Sequence, residues 1–216
     1  MARRSEHSQA EIKTMILDAA EQVVIAQGFS ALKARNIAKE IGYTVGSLYM
    51  VYANMADLIL HIHARTFDAI TLQLKQTPLS KSETAMESLA LVYMYYGAEN
   101  FNRWRDIFDE RLLISVETPD KYQDKIDHIL AQFERCLATL KPELTTFELK
   151  TTAVAFFAGV HGICALSLRP SLGKEEIKKI EATILVLVKN FMRGLDTQPP
   201  AALAAIQSIV AQPTNQ

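Results

Sequence analysis

The stretch that decides the fold is Ala34–Val51, which reads ARNIAKEIGYTVGSLYMV. Counted from its first residue, a small side chain stands fifth (Ala38), a glycine ninth (Gly42) and a branched aliphatic fifteenth (Leu48). The small residue lets two helices cross closely, and the glycine ends the first helix where a positive φ is favoured. Leu48 fills the angle between the helices, which leaves the opposite face of the second helix free to enter a DNA major groove. This spacing predicts a helix-turn-helix.

The composition is that of a globular, mainly helical protein. The chain has 216 residues, nearly half of them apolar, with only eight glycines and seven prolines. Its net charge of −1 argues against a protein coated in nucleic acid, so DNA affinity has to come from a local patch. Cys136 and Cys164 are expected to be buried free thiols in a reducing compartment.

No targeting or membrane segment is expected. Two arginines stand near the start, but no apolar run of signal-peptide type follows them. The longest apolar run, Ala153–Leu168, contains a histidine and is shorter than the roughly 20 residues that a bilayer span needs. The sequence therefore predicts a cytoplasmic protein with no membrane partner.

Apolar periodicity predicts an all-α fold, without the alternation that marks strands. About nine helices are expected, at residues 10–27, 34–41, 45–51, 55–76, 83–98, 101–115, 121–140, 146–168 and 174–195. The segment TPLSKS at 77–82 is the clearest break. We therefore divide the chain into a helix-turn-helix domain (1–55), a connecting helix (56–76) and a second helical domain (77–216).

Catalytic and metal-binding patterns are poor. His61 and His63 stand two apart on a helix, roughly 200° around its axis, and so cannot share a metal. His161 and Cys164 are three apart, but the sequence offers no third ligand nearby. We expect no enzyme, no metal and no cofactor.

Two apolar groups of the second domain have alternative interpretations. Aromatic and polarisable side chains either line a ligand pocket or form an ordinary core; the pocket candidates are Met94, Trp104, Phe108, Phe133, Phe157 and His161. Residues 184–188 (ILVLV) are apolar on every side of a helix, which favours a four-helix dimer interface shared with the run near residue 160. The interface candidates are Phe156, Ile177, Ile184, Leu187, Val188 and Phe191.

Residues of about 9–60 resemble the TetR family of transcriptional regulators. The similarity is carried by Gly28-Phe29, Ile37-Ala38, Gly42, Gly46-Ser47-Leu48-Tyr49, Tyr52 and Asp57-Leu58. In addition, Phe157-Ala-Gly-Val-His161-Gly162 is similar to an aromatic-x3-His-Gly signature of one C-terminal subclass, with Phe where Trp is usual. Lys33 replaces the usual Ser or Thr before the second helix, and Met55 replaces a frequent phosphate-binding Lys.

The resemblance implies a recognition helix at Val45–Tyr52, with Thr44 as its N-cap. The DNA contacts that it implies are Lys33, Ala34, Arg35, Thr44, Val45, Gly46, Ser47, Tyr49, Met50, Tyr52 and Asn54. Of these, Tyr49, Tyr52 and Asn54 would hold phosphates. The short, mostly uncharged reading face suits thymine methyls and single hydrogen bonds better than arginine–guanine pairs.

Charge on the first 55 residues is small, with six basic against five acidic side chains. Lys33 and Arg35 flank the start of the second helix, and Arg3 and Arg4 form an N-terminal arm. Because phosphate contacts set salt-dependent affinity, tight binding is expected only from a homodimer on a palindromic double-stranded operator.

The resemblance implies a ligand-responsive repressor that a small apolar effector releases from its operator. The alternative is a helical adaptor for a protein partner, which keeps the fold while Lys33 and Met55 weaken its DNA binding.

Overall fold

The structure is a computed structural model that describes residues 7–78, 84–108 and 122–197. Within these ranges it contains nine α-helices, one short 3₁₀ turn and no strand, so the all-α prediction is confirmed. The helices are α1 (Gln9–Gln27), α2 (Ala34–Glu40), α3 (Val45–Tyr49), α4 (Met55–Gln76), α5 (Thr84–Glu99), α6 (Phe101–Trp104), α7 (Tyr122–Leu140), α8 (Thr146–Ser167) and α9 (Lys174–Thr197). The 3₁₀ turn is Phe29–Ala31.

The bounds agree with the periodicity except at α6. A helix was expected over 101–115, but α6 ends at Trp104, and turns follow to Phe108. No stop signal marks this point in the sequence. The expected turn at Thr118–Asp120, the short piece Ala201–Val210 and the Arg3–Arg4 arm all lie outside the described residues.

Two compact units divide the chain. The first comprises Met1–Gln73, Tyr95–Ile129 and Leu168–Ser171, and the second Leu74–Met94, Leu130–Ser167 and Leu172–Gln216. These units follow contact density, and the functional division at residues 55 and 76 stays a prediction.

Local signals fix α1 at both ends. The Ser8 hydroxyl accepts from the Glu11 backbone N–H at 3.3 Å, and the Glu11 carboxylate accepts from the Ser8 N–H at 2.7 Å. This reciprocal capping box starts the helix. Gly28 ends it with a φ of +80°, and its N–H donates to the Val24 carbonyl at 2.8 Å. The helix then buries one face, including Ile16 and Ala20, in the core of the first unit.

A polar network holds α1, α4 and α6 together in the first unit. The Arg65 guanidinium lies 2.6 Å from the Asp18 carboxylate and 2.8 Å from that of Glu21. Arg103 lies 2.7 Å from the second Glu21 oxygen. The Asn102 amide donates to the Ile25 carbonyl at 3.0 Å. Four-residue α6 is thus tied to α1 by two polar links.

The second unit is built around the pair α8 and α9. Phe156 of α8 and Phe191 of α9 lie edge to face with ring centroids 5.1 Å apart. A Cβ at Gly159 would lie 3.1 Å from Cδ2 of Leu187, so glycine permits the close approach of the two helices. In the described part of the chain, α8 is also the one helix whose length and composition would suit a bilayer. Its Phe156 and Cys164 are fully buried in the unit.

Candidate nucleic-acid interface

The turn between α2 and α3 is fixed by backbone hydrogen bonds. Gly42 has a φ of +74°, and its N–H donates to the Lys39 carbonyl at 3.2 Å. The Tyr43 N–H donates to the Ala38 carbonyl at 2.8 Å. These two bonds are those of a Schellman motif, which ends a helix with a glycine in the left-handed region. The predicted role of Gly42 is confirmed.

The N-cap of α3 is Thr44, as predicted. Its hydroxyl accepts from the Ser47 N–H at 3.2 Å and lies 3.0 Å from the Ser47 hydroxyl. By contrast, Lys33 caps α2 with no side-chain hydrogen bond. The expected loss of an N-cap at Lys33 is therefore confirmed.

The outer face of α3 is exposed and uncharged. Leu48 is fully buried, whereas Tyr49 is 46% exposed and Met50 70%. Gly46 and Thr44 are also exposed, and Val45 and Ser47 are half-buried. The exposed residues are Thr44, Gly46, Tyr49 and Met50, and exposure of this kind is what reading of a major groove requires.

Positive charge stands on α2, not on α3. Lys33, Arg35 and Lys39 are all exposed, and none of them forms an ion pair with another described residue. Such lysines and arginines suit phosphate contacts. Ala34 differs, because its methyl group packs against the core of the first unit. Ala34 is half-buried, and its contact with DNA stays a prediction.

Tyr52 corrects the sequence interpretation. It was expected to hold a phosphate, but it is 1% exposed, and its hydroxyl donates to the Lys13 carbonyl at 3.0 Å. The ring also lies edge to face with His61, with centroids 5.2 Å apart. Burial raises the pKa of the Tyr52 phenol far above its ordinary value. Tyr52 is a core residue that ties α1 to the end of the helix-turn-helix.

Asn54 and Met55 both have structural contacts at the start of α4. The Asn54 side-chain oxygen accepts from the Asp57 N–H at 3.0 Å, and the Asp57 carboxylate accepts from the Ala53 N–H at 2.9 Å. These two bonds cap the start of α4, and Asn54 itself is exposed. Met55 packs against the core, which explains why an apolar residue fits a position where family members often carry lysine.

Sequence reasoning missed the pair of His7 and Tyr43. The His7 Nδ1 atom lies 2.8 Å from the Tyr43 hydroxyl, 36 residues along the chain. This contact joins the residue before the cap of α1 to the turn before α3. No local sequence pattern predicts a contact between residues so far apart, and the pattern indicates only that Tyr43 is one of the apolar positions of the turn.

The pocket candidates fall into both units. Trp104 and Phe108 belong to the first, where the Phe108 ring lies 5.4 Å from that of Phe67. Met94, Phe133, Phe157 and His161 belong to the second. There the His161 Nδ1 atom lies 2.8 Å from the Tyr93 hydroxyl. The Phe157 ring stacks on the imidazole, with ring centroids 6.2 Å apart. Tyr93 was missing from the candidates, although the expectation that the tyrosines at 93, 95 and 96 cannot all point inward is confirmed.

The dimer candidates need a correction too. Phe156, Ile184 and Val188 are at most 1% exposed in one protomer, so their side chains already belong to its core. Ile177, Leu187 and Phe191 are half-buried. Phe156, Ile184 and Val188 thus belong to the face that α8 and α9 turn to their own unit, whereas Ile177, Leu187 and Phe191 stay predicted interface residues.

The described residues form no metal-binding cluster. Within the described ranges, no three His, Cys, Asp or Glu side chains lie close enough to share an ion. Cys136 and Cys164 are buried free thiols, as expected. Burial raises the pKa of Cys136 to about 11 and that of Cys164 to about 12.

Residues 16–62 match the family model described as bacterial regulatory proteins, tetR family. Among solved structures, a protein of unknown function from Rhodococcus sp. RHA1 superimposes with a TM-score of 0.65 at 14% identity, covering 90% of this chain and 98% of that one. The TetR family transcriptional regulator PfmR from Thermus thermophilus gives 0.60 at 13% identity, covering 81% and 97%. The multidrug binding protein EbrR, solved with imidazole, gives 0.53 at 20% identity, covering 81% and 93%. No curated protein matches the sequence.

Proposed function

Since the chain carries the DNA-binding domain of the TetR family at residues 16–62, we propose that it is a homodimeric transcriptional repressor. It binds a palindromic operator on double-stranded DNA, and a small apolar effector releases it. It acts in the cytoplasm, without metal or cofactor. The observation that carries this proposal is the exposed, uncharged face of α3 beside the basic residues of α2.

Two kinds of contact act on DNA: phosphate contacts and contacts that read the base sequence. Lys33, Arg35 and Lys39 supply phosphate contacts that are independent of sequence, and so set the salt dependence. Tyr49 adds a phosphate hydrogen bond from the edge of α3. The outer face of α3 supplies the sequence readout. With so few positive charges, one helix-turn-helix domain binds DNA weakly, and two such domains on one DNA molecule are needed for a tight complex.

A second copy of the chain covers the outer face of α8 and α9. On this face Leu166 is 91% exposed, Val186 59% and Val154 49%, with the small residues Ala155 and Ala158 exposed beside them. Large apolar side chains along two neighbouring helices are typical of a surface that is buried on association. Because a two-fold axis presents the same surface twice, the homodimer also accounts for the palindrome.

The effector site lies in the second unit around Tyr93 and His161. Their hydrogen bond is set among the rings of Phe133 and Phe157, whose centroids are 5.6 Å apart. Burial lowers the pKa of His161, which keeps the imidazole neutral at pH 7 and able to donate or accept. An apolar molecule with one polar group suits such surroundings. Trp104 and Phe108 remain candidates from the sequence, as does the aromatic-x3-His-Gly subclass.

Selection from random duplex DNA tests the proposal. We expect the full chain to enrich a palindrome and to bind it far more tightly than a single half-site, with affinity falling steeply as salt rises. An intact dimer that binds no DNA at low salt would contradict the repressor and favour the adaptor alternative.

A substitution pair separates DNA contact from folding. Tyr49→Ala is expected to weaken operator binding by about tenfold, the value of one lost hydrogen bond to a charged group. Its thermal stability should hardly change, because the side chain is nearly half exposed. Tyr95→Ala is the matched control, since Tyr95 has a similar exposure of 41% on α5, and it should leave operator binding intact.

A further inference from the structure

On the recognition surface, Gly46 and Met50 lie on the side of the helix opposite the buried Leu48. Met50 is the C-cap of α3 and keeps helical backbone angles, and its N–H donates to the Gly46 carbonyl at 3.1 Å. Gly46 and Met50 are four residues apart, so they share one face, and Met50 stands about 200° around the axis from Leu48. Leu48 is fully buried, and Met50 is 70% exposed. Met50 is therefore the large side chain that stands furthest out on the reading surface.

Among the described residues, no contact calls for a glycine at position 46. Its φ is not positive, and a Cβ there would meet only the Thr44 hydroxyl oxygen, at an ordinary 3.5 Å. Glycine weakens a helix relative to alanine, so its presence costs stability without any internal packing reason. The missing side chain leaves a shallow notch on the surface, one helical turn before Met50.

Charged side chains that could hydrogen-bond a base are absent from this surface, and the hydroxyls of Thr44 and Ser47 bond to each other. Residues 41–56 contain no charged side chain, so arginine–guanine recognition by α3 is not available. The hydroxyls of Thr44 and Ser47 lie 3.0 Å apart, and that of Thr44 also accepts the Ser47 N–H. The most exposed part of the surface is therefore an apolar thioether beside a bare backbone.

We propose that this notch, defined by Gly46 and Met50, receives the C5-methyl group of a thymine at one fixed position in each operator half-site. In the major groove that methyl is the one apolar group by which a base pair is distinguished. Met50 is then a specificity-determining residue, and Gly46 provides the space for the methyl. The inference rests on the proposed function, since it concerns the DNA that the same face binds.

The first test replaces each thymine of the selected half-site, one at a time, by deoxyuridine, which lacks only the methyl group. We expect one position at which affinity falls by about fourfold, the transfer free energy of one buried methyl. Equal affinity at every position overturns the inference, as does a selected half-site without a constant thymine. Either result leaves the repressor intact, whereas failure to select any operator removes the repressor itself.

Substitutions then assign the methyl to its neighbours. Met50→Ala should bind the thymine and deoxyuridine operators equally, while Met50→Leu, which keeps an apolar side chain, should still prefer thymine. Gly46→Ala should be at least as resistant to heat as the native chain and yet lose the preference, since its methyl fills the notch. If Met50→Ala keeps the full preference for thymine, another group reads the methyl and the inference is wrong.

Discussion

The α2–α3 segment and helix α8 were equally prominent in the sequence, but they differ in how far the sequence determines their faces. In α2–α3, the Thr44 cap and the left-handed Gly42 fix the backbone, and the buried side chains include Ile37, Ala38 and Leu48. Helix α8 is apolar on nearly every side, so its residues look alike whether they face the core or the solvent. Sequence patterns therefore assign sides well where such a turn fixes the register of two helices, and poorly along a helix that is apolar on nearly every side.

The largest expected effect lies within α3 and sharpens this contrast. Leu48→Ala should lower the free energy of unfolding by about 2–5 kcal/mol, because it opens a cavity in a fully buried site. Met50→Ala, two residues further on, should change it by less than about 0.5 kcal/mol, since Met50 is mostly exposed. Urea unfolding of both variants measures the difference. Equal losses would mean that α3 does not turn one side to the core and the other to solvent.

A charged substitution tests whether the exposed outer face of α8, which the sequence could not distinguish from the buried face, forms the dimer interface. Leu166→Glu should raise the dimer dissociation constant by more than about 100-fold, because each of the two copies loses a leucine worth about 1.5–3 kcal/mol on burial and gains a charge. The monomer should fold normally, since residue 166 is 91% exposed. Sedimentation equilibrium measures the constant. Lys150→Glu, at another exposed position of α8, is the control and should matter much less if apolar contact holds the dimer.

The two regions show why part of the site could be predicted and part could not. Gly42 and Thr44 were predicted correctly, because a left-handed turn and an N-cap need specific residue types. Tyr52 was assigned to DNA because the family motif does not reveal which way its hydroxyl points; the bond to the Lys13 carbonyl depends on how α1 packs. Likewise, Phe156 and Val154 are both apolar residues of α8, and only packing shows that the first is buried and the second exposed.

Tyr52→Phe tests the correction directly. Removing the hydroxyl deprives the Lys13 carbonyl of its donor, and the expected loss of stability is about 1 kcal/mol. Operator affinity, measured well below the melting temperature, should be unchanged. A loss of affinity without a loss of stability would return Tyr52 to the DNA surface and weaken the contrast between buried and reading residues.

A gain of stability is expected at the start of α2. Lys33→Ser supplies the missing side-chain acceptor for the first turn, which should stabilise the protein by about 0.5–1 kcal/mol. Lys33→Ala, which adds no acceptor, is the control for loss of the lysine itself. Thermal unfolding separates the two. If Ser and Ala behave alike, the cap is not what limits α2.

The smallest effect concerns His161, the histidine of α8. Burial lowers the pKa of His161 from its ordinary value of about 6.5, so the unfolded chain takes up this proton more readily than the folded one. The contribution of His161 is therefore fully present above pH 6.5 and is lost as the pH falls towards the lowered pKa of the folded state. The side chain is only partly buried, and solvent screening keeps the effect small.

Urea unfolding at pH 7.5 and pH 5.5 should show a smaller difference for His161→Gln than for the native chain. Tyr93→Phe, which removes the hydrogen bond but leaves the imidazole in place, should retain most of the native difference, because burial is the cause of the shift. If Tyr93→Phe abolishes the pH dependence as fully as His161→Gln does, the hydrogen bond, and not the apolar surroundings of α8, governs the titration of His161.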